Sequence, residues 1–396
     1  MAVMRGFVPG ILIDISRLLY RRLAGRLPTG VDRVSLEYLR RYTGHARAVL
    51  SWKGLHVVLS HSASEQIFRR LVEKETHPAA DWAATARLLA MASANMGYAR
   101  DLDGAFLFNT GHMGIADHRY ARALCKRGAR PVFMIHDLIP ITHPEYCRQG
   151  ELQRHRRRMK NALRLGHGIV TNSADTLASL DAFSRSCAMP VPPAVVAPLA
   201  PGLPHSLPGR RPIAQPYFVA LSTIEPRKNH LMLLHVWWRL IERMGEQAPR
   251  LIIIGHRGWE CENVVDLLER SERLRGFVFE RARCSDVDLV TYLHHAQALL
   301  FPSFVEGYGM PVVEALAAGV PVVASDLAVF REFAADIPDY ADPIDPQRWL
   351  ALISDYTSTD SPLRAAQIDR IRSFRPPTWE QHFRCVNALL TRLGET

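Results

Sequence analysis

The stretch ALLFPSFVEGYGMPVVEALAAGVPVVASD, residues 298–326, decides the fold. Its apolar opening, residues 298–301, reads as a buried strand, and a Gly-rich loop over 305–310 follows. Pro311 suits the first turn of a helix, where its missing N–H costs little. Residues 312–318 read as that helix, ended by Gly319, and the apolar run 320–324 as the next parallel strand. Glu306 stands on the loop and Glu314 about one turn into the helix, with seven residues between them. A strand, loop and helix N-terminus of this kind presents backbone N–H groups and a favourable dipole to an anion. The two carboxylates cannot bind that anion, but they accept hydrogen bonds from sugar hydroxyls. Phosphate donors beside hydroxyl acceptors suit a sugar nucleotide.

Upstream, PYFVALSTIEPRKNHLMLLHVWWRL (216–240) reads as a strand, a turn carrying Arg227 and Lys228, and a helix. An Arg fork and a Lys point charge grip phosphate oxygens in different ways. LIIIGHRGW (251–259) reads as a further strand and a Gly-ended loop. FVFERARCSDVDLVTYLHHAQALLFPS (277–303) reads as strand, loop and helix leading into the decisive stretch.

Taken together, the Glu-x7-Glu spacing, the loop glycines and the EPRKN turn resemble the donor site of the retaining glycosyltransferases of family 4. The resemblance is strong over about residues 216–353. It implies the GT-B fold, two facing Rossmann-like domains with a donor cleft between them. It also implies that Arg227, Lys228 and the backbone at Gly309 and Met310 hold the donor diphosphate, with Gly307 and Tyr308 also on the donor-binding loop. Glu306 would meet the sugar hydroxyls and Glu314 the nucleotide ribose. Ser222 stands where the family usually has Gly, a separate Arg just after it is missing, and Ala282 replaces another common Gly. Those departures leave the phosphate partners and the base contacts open.

The resemblance reaches the first half through four segments. ILIDISRLLYRRLAGRLPTGVDRVSLEYLRRY (11–42) places Gly30 at a helix start and Arg33 just inside it, on the acceptor side. FLFNTGHMG (106–114) and VFMIHDLIPITHPEY (132–146) place His112, His136 and Asp137 at strand ends. A family His from this region lies close to the transferred sugar, which makes His112 and His136 alternative catalytic candidates, with Asp137 on the acceptor side. In TNSADTLASL (171–180), Ser173 and Asp175 are placed to cap a helix.

Length agrees with two domains, since 396 residues can bury two cores. The expected division is a first domain over 1–205, a nucleotide-sugar domain over 206–375, and a C-terminal helix over 376–396 that packs back on the first. The Pro-rich segment 191–216 reads as a strand and a linker. Six cysteines, at 125, 147, 187, 261, 284 and 385, show neither a disulfide framework nor a zinc spacing, so a reducing cytoplasm is expected. No secretory leader and no apolar run of about 18 residues is read.

Charge is uneven. Residues 1–205 carry 28 Lys and Arg against 15 Asp and Glu, whereas residues 206–396 carry 21 against 24. The densest cluster, QGELQRHRRRMKNALRLGHG (149–168), has Leu152, Met159 and Leu163 along one stripe of a helix. Such a helix suits an anionic membrane surface. Nucleic acid is not expected, because interleaved aromatics and a nucleic-acid module are lacking.

The expectation is a retaining glycosyltransferase. It would move a hexose, mannose from GDP-mannose first, to a glycan or polyprenyl-diphosphate-linked acceptor in bacterial surface polysaccharide synthesis. It would need neither cofactor nor metal and would sit peripherally on the inner face of the cytoplasmic membrane. The alternatives are a nucleotide-sugar 2-epimerase of the same fold and a non-catalytic glycan-binding relative.

Overall fold

The computed structural model describes residues 10–26, 28–53, 55–73, 102–203, 207–358 and 360–395. The first nine residues, which bear on the expectation of no secretory leader, lie outside these. The described chain forms two compact units. One takes the chain up to Ile141, Leu152–Leu199 and everything from Trp379 on; the other takes Thr142–Glu151 and Ala200–Thr378. The division thus falls at 199/200 and 378/379. Residues 142–151, read from sequence as part of the first domain, pack within the second.

The second unit is the more regular. Its strands are β8 (Tyr217–Leu221), β9 (Arg250–Ile254), β10 (Val278–Arg281), β11 (Leu299–Phe301), β12 (Val322–Ser325) and β13 (Asp339–Ala341). They lie in the order β10-β9-β8-β11-β12-β13, and every pair is parallel. Counted from β8, this is the doubly wound 3-2-1-4-5-6 order. β9 and β12 are buried along their whole length, as expected for strands covered by helices on both faces. Trp237 and Trp349 anchor the core, and each indole N–H reaches a backbone carbonyl at 2.9 Å, that of Pro249 and that of Asp342. Chain order reverses between β8 and β11. The crevice at the carboxyl ends of these two strands is where such sheets bind ligands.

The decisive stretch folds closely as read. β11 is followed by a loop, the helix Met310–Ala317 with Pro311 in its first turn, and β12. Gly309 caps the helix at φ +102°, and a Cβ there would lie 2.5 Å from Phe330 Cε1, so only glycine fits. The segment 142–151 straps across neighbouring loops. Tyr146 stacks on Phe304 with ring centroids 5.2 Å apart, and its carbonyl accepts from Trp259 Nε1 at 3.1 Å. Arg148 covers the Trp259 ring at 5.0 Å.

The first unit has β1 (Ile11–Asp14), β2 (Ala46–Trp52), β3 (Leu55–Val58), β4 (Phe106–Asn109), β5 (Arg130–Ile135), β6 (Gly168–Thr171) and β7 (Ala194–Val196). Their order is β3-β2-β1-β4-β5-β6-β7, with only the β2–β3 pair antiparallel. Here the reversal point lies between β1 and β4. The helix Trp379–Gly394 packs on β6 and β7. Its Phe383, Val386, Leu389 and Leu393 are buried, and Gly168 admits it closely, since a Cβ there would lie 2.7 Å from Leu393 Cδ1. The basic helix runs over Glu151–Leu165 and buries His155, Met159, Asn161, Ala162 and Leu163. The stripe is therefore wider than the three residues read from sequence, and Leu152 is only half-buried. Ser173 caps the helix Ala174–Ser186 by accepting from the Thr176 amide; Asp175 lies inside the first turn instead.

Candidate active site

The second unit's reversal point is built from two loops. The loop after β8 is tied to its neighbours: Ser222 N donates to Ile254 O, Ile224 N to His256 O, and Gly258 N to Ile224 O. Pro226–Lys228 then form a tight turn, and Asn229 leaves it in the left-handed conformation, φ +56°, with its side chain donating to Pro343 O at 2.8 Å. The loop after β11 meets this turn through Phe304 N, which donates to Arg227 O at 2.8 Å.

These ties bring Arg227, Lys228 and Glu306 together across 78 and more residues of sequence. Arg227 Nη1 donates to Glu306 Oε2 at 2.9 Å and to Val305 O at 3.2 Å. Lys228 Nζ bonds Glu306 Oε1 and sits 4.8 Å from the centroid of the Phe301 ring. Glu225 supplies a second buried carboxylate, paired with Arg227 Nε. Four charges of balanced sign thus share one crevice. Burial opposes ionisation of Glu306, but Arg227 and Lys228 outweigh it and hold its carboxyl down at about 2. Burial, and then the Arg227 charge, push the Lys228 ammonium below its usual value. Burial raises the Glu225 carboxyl despite the same cations. Tyr308 is buried against Phe333, ring centroids 5.1 Å apart, so it shapes the loop. Gly307, Gly309 and Met310 complete the turn into the helix. Glu314, one turn on, is buried and accepts from the Gly202 amide at 3.1 Å.

The first unit's reversal point gathers the other candidates. His112, His136 and His155 cluster, with ring centroids 5.3 Å apart for His112–His136 and 5.9 Å for His112–His155. His112 Nε2 lies 2.7 Å from Met134 O, and His136 Nε2 lies 2.7 Å from Thr110 O. A carbonyl only accepts, so in both rings Nε2 carries the proton and Nδ1 is the lone-pair nitrogen. Burial lowers the proton affinity of both, and that of His112 further through the adjacent imidazoles and Arg158. Both rings are neutral at pH 7. His112 is also held at φ +60°, which is uncommon for a side-chain-bearing residue.

Asp137 accepts from the Ile139 amide at 3.1 Å and so shapes its own turn. Gly30 opens the helix Gly30–Tyr42, capped by Thr29 and Asp32, and Arg33 is half-buried in its first turn. Sequence reasoning missed Asp32, which takes Arg17 and Arg21 at 2.8 Å each. Thr-x-x-Asp ahead of a helical run was the available signal. It also missed His155, which looks like one more basic position of its helix, and Gly111, where a Cβ would lie 2.6 Å from Arg17 Cδ.

Comparison with known proteins bears on the family and the fold. The family described as Glycosyl transferases group 1 matches residues 209–369. The O-antigen chain mannosyltransferase B of Escherichia coli is 30% identical over 266 residues, covering 63% of this chain and 67% of that relative. The serotype-specific mannosyltransferase WbdA of Escherichia coli is 27% identical over 248 residues, 57% of this chain. The match spans only 30% of that longer relative. Among solved structures, Anabaena Alr3699/HepE in complex with UDP and glucose superposes with a TM-score of 0.62 at 15% identity, over 98% of this chain and 99% of that one. That likeness concerns the fold, which is GT-B.

Proposed function

The chain belongs to the group 1 glycosyltransferases, and from that membership we propose that it moves mannose from GDP-mannose to a lipid-linked glycan with retention at the anomeric carbon. The observation that carries the reading is the crevice at the β8–β11 reversal, where Arg227, Lys228 and Glu306 converge and Glu314 lies one helical turn away. Cations there suit a diphosphate, and buried carboxylates suit hydroxyls. The mannosyltransferase relatives support the choice of sugar.

The reaction is a front-face displacement. The bond between the sugar's anomeric carbon and the diphosphate oxygen breaks, and the acceptor oxygen bonds that carbon on the same face. The leaving diphosphate oxygen takes the acceptor's proton. Arg227 and Lys228 steady the charge that develops on the diphosphate, so the step requires no metal. Glu306 orients the sugar and Glu314 the ribose. The lone-pair Nδ1 of His112 or His136 accepts from a sugar hydroxyl. The basic helix Glu151–Leu165 brings the acceptor side to an anionic membrane surface.

The test is a transfer assay with GDP-mannose and a polyprenyl-diphosphate-linked saccharide, the product anomer read by NMR. An α-linked mannoside formed equally well in EDTA is the expected result. Strict metal dependence, inversion, or release of a free epimerised sugar nucleotide refutes the reading.

A further inference from the structure

The Pro-rich linker contributes to the site as well as joining the units. Between β7 and β8 the chain reads APLAPGLP, and Gly202 within it donates its backbone N–H to Glu314 Oε1 at 3.1 Å, across 112 residues of sequence. Pro198 and Pro201 precede this position and restrict the backbone leading into it. Glu314 is buried on the first turns of the helix Met310–Ala317, beside the β8–β11 crevice.

A glutamate rotamer on a helix has three torsions to fix before its oxygens can serve a ligand. A charge-assisted bond from a backbone amide on a stiff segment fixes them in advance. A carboxylate has about four acceptor sites, so an amide bond and hydroxyl bonds can coexist on it. We propose that the Gly202 amide is a positioning group for the ribose subsite: it holds the Glu314 carboxylate in the orientation that receives the 2′- and 3′-hydroxyls of a nucleoside diphosphate. This inference rests on the reading of Glu314 as the ribose partner. It makes the linker's backbone part of donor recognition.

Gly202→Pro removes the amide and Gly202→Ala keeps it. Calorimetry on the full chain would use GDP and UDP, their 2′,3′-dideoxy forms, and inorganic pyrophosphate. Gly202→Pro should weaken the better-binding ribonucleoside diphosphate by about tenfold, the effect of one hydrogen bond to a charged group. Its affinity for the dideoxy form and for pyrophosphate should be unchanged, as should its Tm. Gly202→Ala should bind like the parent. Equal losses on all three probes overturn the proposal, because a distorted linker would produce them. So does unchanged ribonucleotide affinity in Gly202→Pro while Glu314→Ala weakens it. If Glu314→Ala also leaves ribonucleotide affinity untouched, the ribose reading itself falls and the inference with it.

Discussion

Glu306 accepts from both donor-side cations, and this sets what its removal does. A nucleoside diphosphate entering the crevice competes with Glu306 for Arg227 and Lys228. Glu306→Ala should therefore tighten nucleoside diphosphate binding, by about tenfold on the scale of a hydrogen bond between charged groups. The same change should lower the transfer rate by about a hundredfold or more, since the sugar loses its partner while the leaving group keeps its own. Calorimetry and initial rates on one preparation test both halves. Weakened diphosphate binding would mean that Glu306 supports the cations rather than competing with the ligand. Lys228→Ala should act oppositely, reducing affinity for the diphosphate far more than for the nucleoside.

The same carboxylate makes stability depend on acid. Its folded value, about 2, lies below the ordinary 4.5, so its contribution is complete above pH 4.5 and is lost as pH falls toward 2. Glu306→Gln leaves the buried Lys228 and the half-buried Arg227 without that charge and should cost about 3 kcal/mol at neutral pH. The gap in denaturation midpoint between parent and variant should hold steady above pH 5 and close between 4.5 and 2. Glu225 is raised by burial and, in the parent, also by the Glu306 charge, so its titration shifts between the two proteins as well. A gap that is flat down to pH 2 would show that the pairing contributes nothing to stability.

At the scale of elements, legibility followed locality. The βαβ unit over 298–326 was readable because its strands, its N-terminal proline and its glycine turns are all short-range signals. The Arg227–Lys228 turn was readable for the same reason. The strap over 142–151 was not: Tyr146 finds Phe304, and Trp259 finds the Tyr146 carbonyl, through contacts no periodicity announces. Likewise Asp32 meets Arg17 and Arg21 from another helix, and Gly202 meets Glu314 from a linker that reads as mere connection. The C-terminal helix was recognisable as a helix, but its fit shows only in the fold. Its His382 is fully buried, facing the Tyr38 hydroxyl at 3.0 Å and the Ala197 carbonyl at 3.0 Å. Phe383 packs edge-on against Tyr38 and Tyr42. Phe383→Ala should cost about 3–5 kcal/mol in denaturant unfolding. It should leave nucleoside diphosphate affinity unchanged, since the residues proposed to hold the diphosphate and the ribose all belong to the second unit. A cost below about 1 kcal/mol would mean that this helix is not integral to the first unit.

At the scale of the whole molecule the governing quantity is charge. Residues 1–205 carry an excess of 13 positive charges and the remainder an excess of 3 negative ones. No helix among the described residues is long and apolar enough to cross a bilayer. On the helix Glu151–Leu165 the exposed cations are Arg154, Arg156, Arg157, Lys160 and Arg164. Arg158 is half-buried near His155 and is a poor probe, because changing it disturbs the histidine cluster. Each exposed basic residue near an anionic surface contributes about 1 kcal/mol, so reversing three of them removes most of the attraction. The Arg156→Glu, Arg157→Glu, Lys160→Glu variant should lose binding to phosphatidylserine vesicles while its nucleoside diphosphate affinity stays unchanged. The parent should sediment with those vesicles but not with neutral ones. It should come off as the Debye length shrinks from about 10 Å at 0.1 M salt to about 3 Å at 1 M. Binding that survives 1 M salt would point to apolar insertion. Binding to neither vesicle would leave this basic face merely solvated and would favour an acceptor presented in solution.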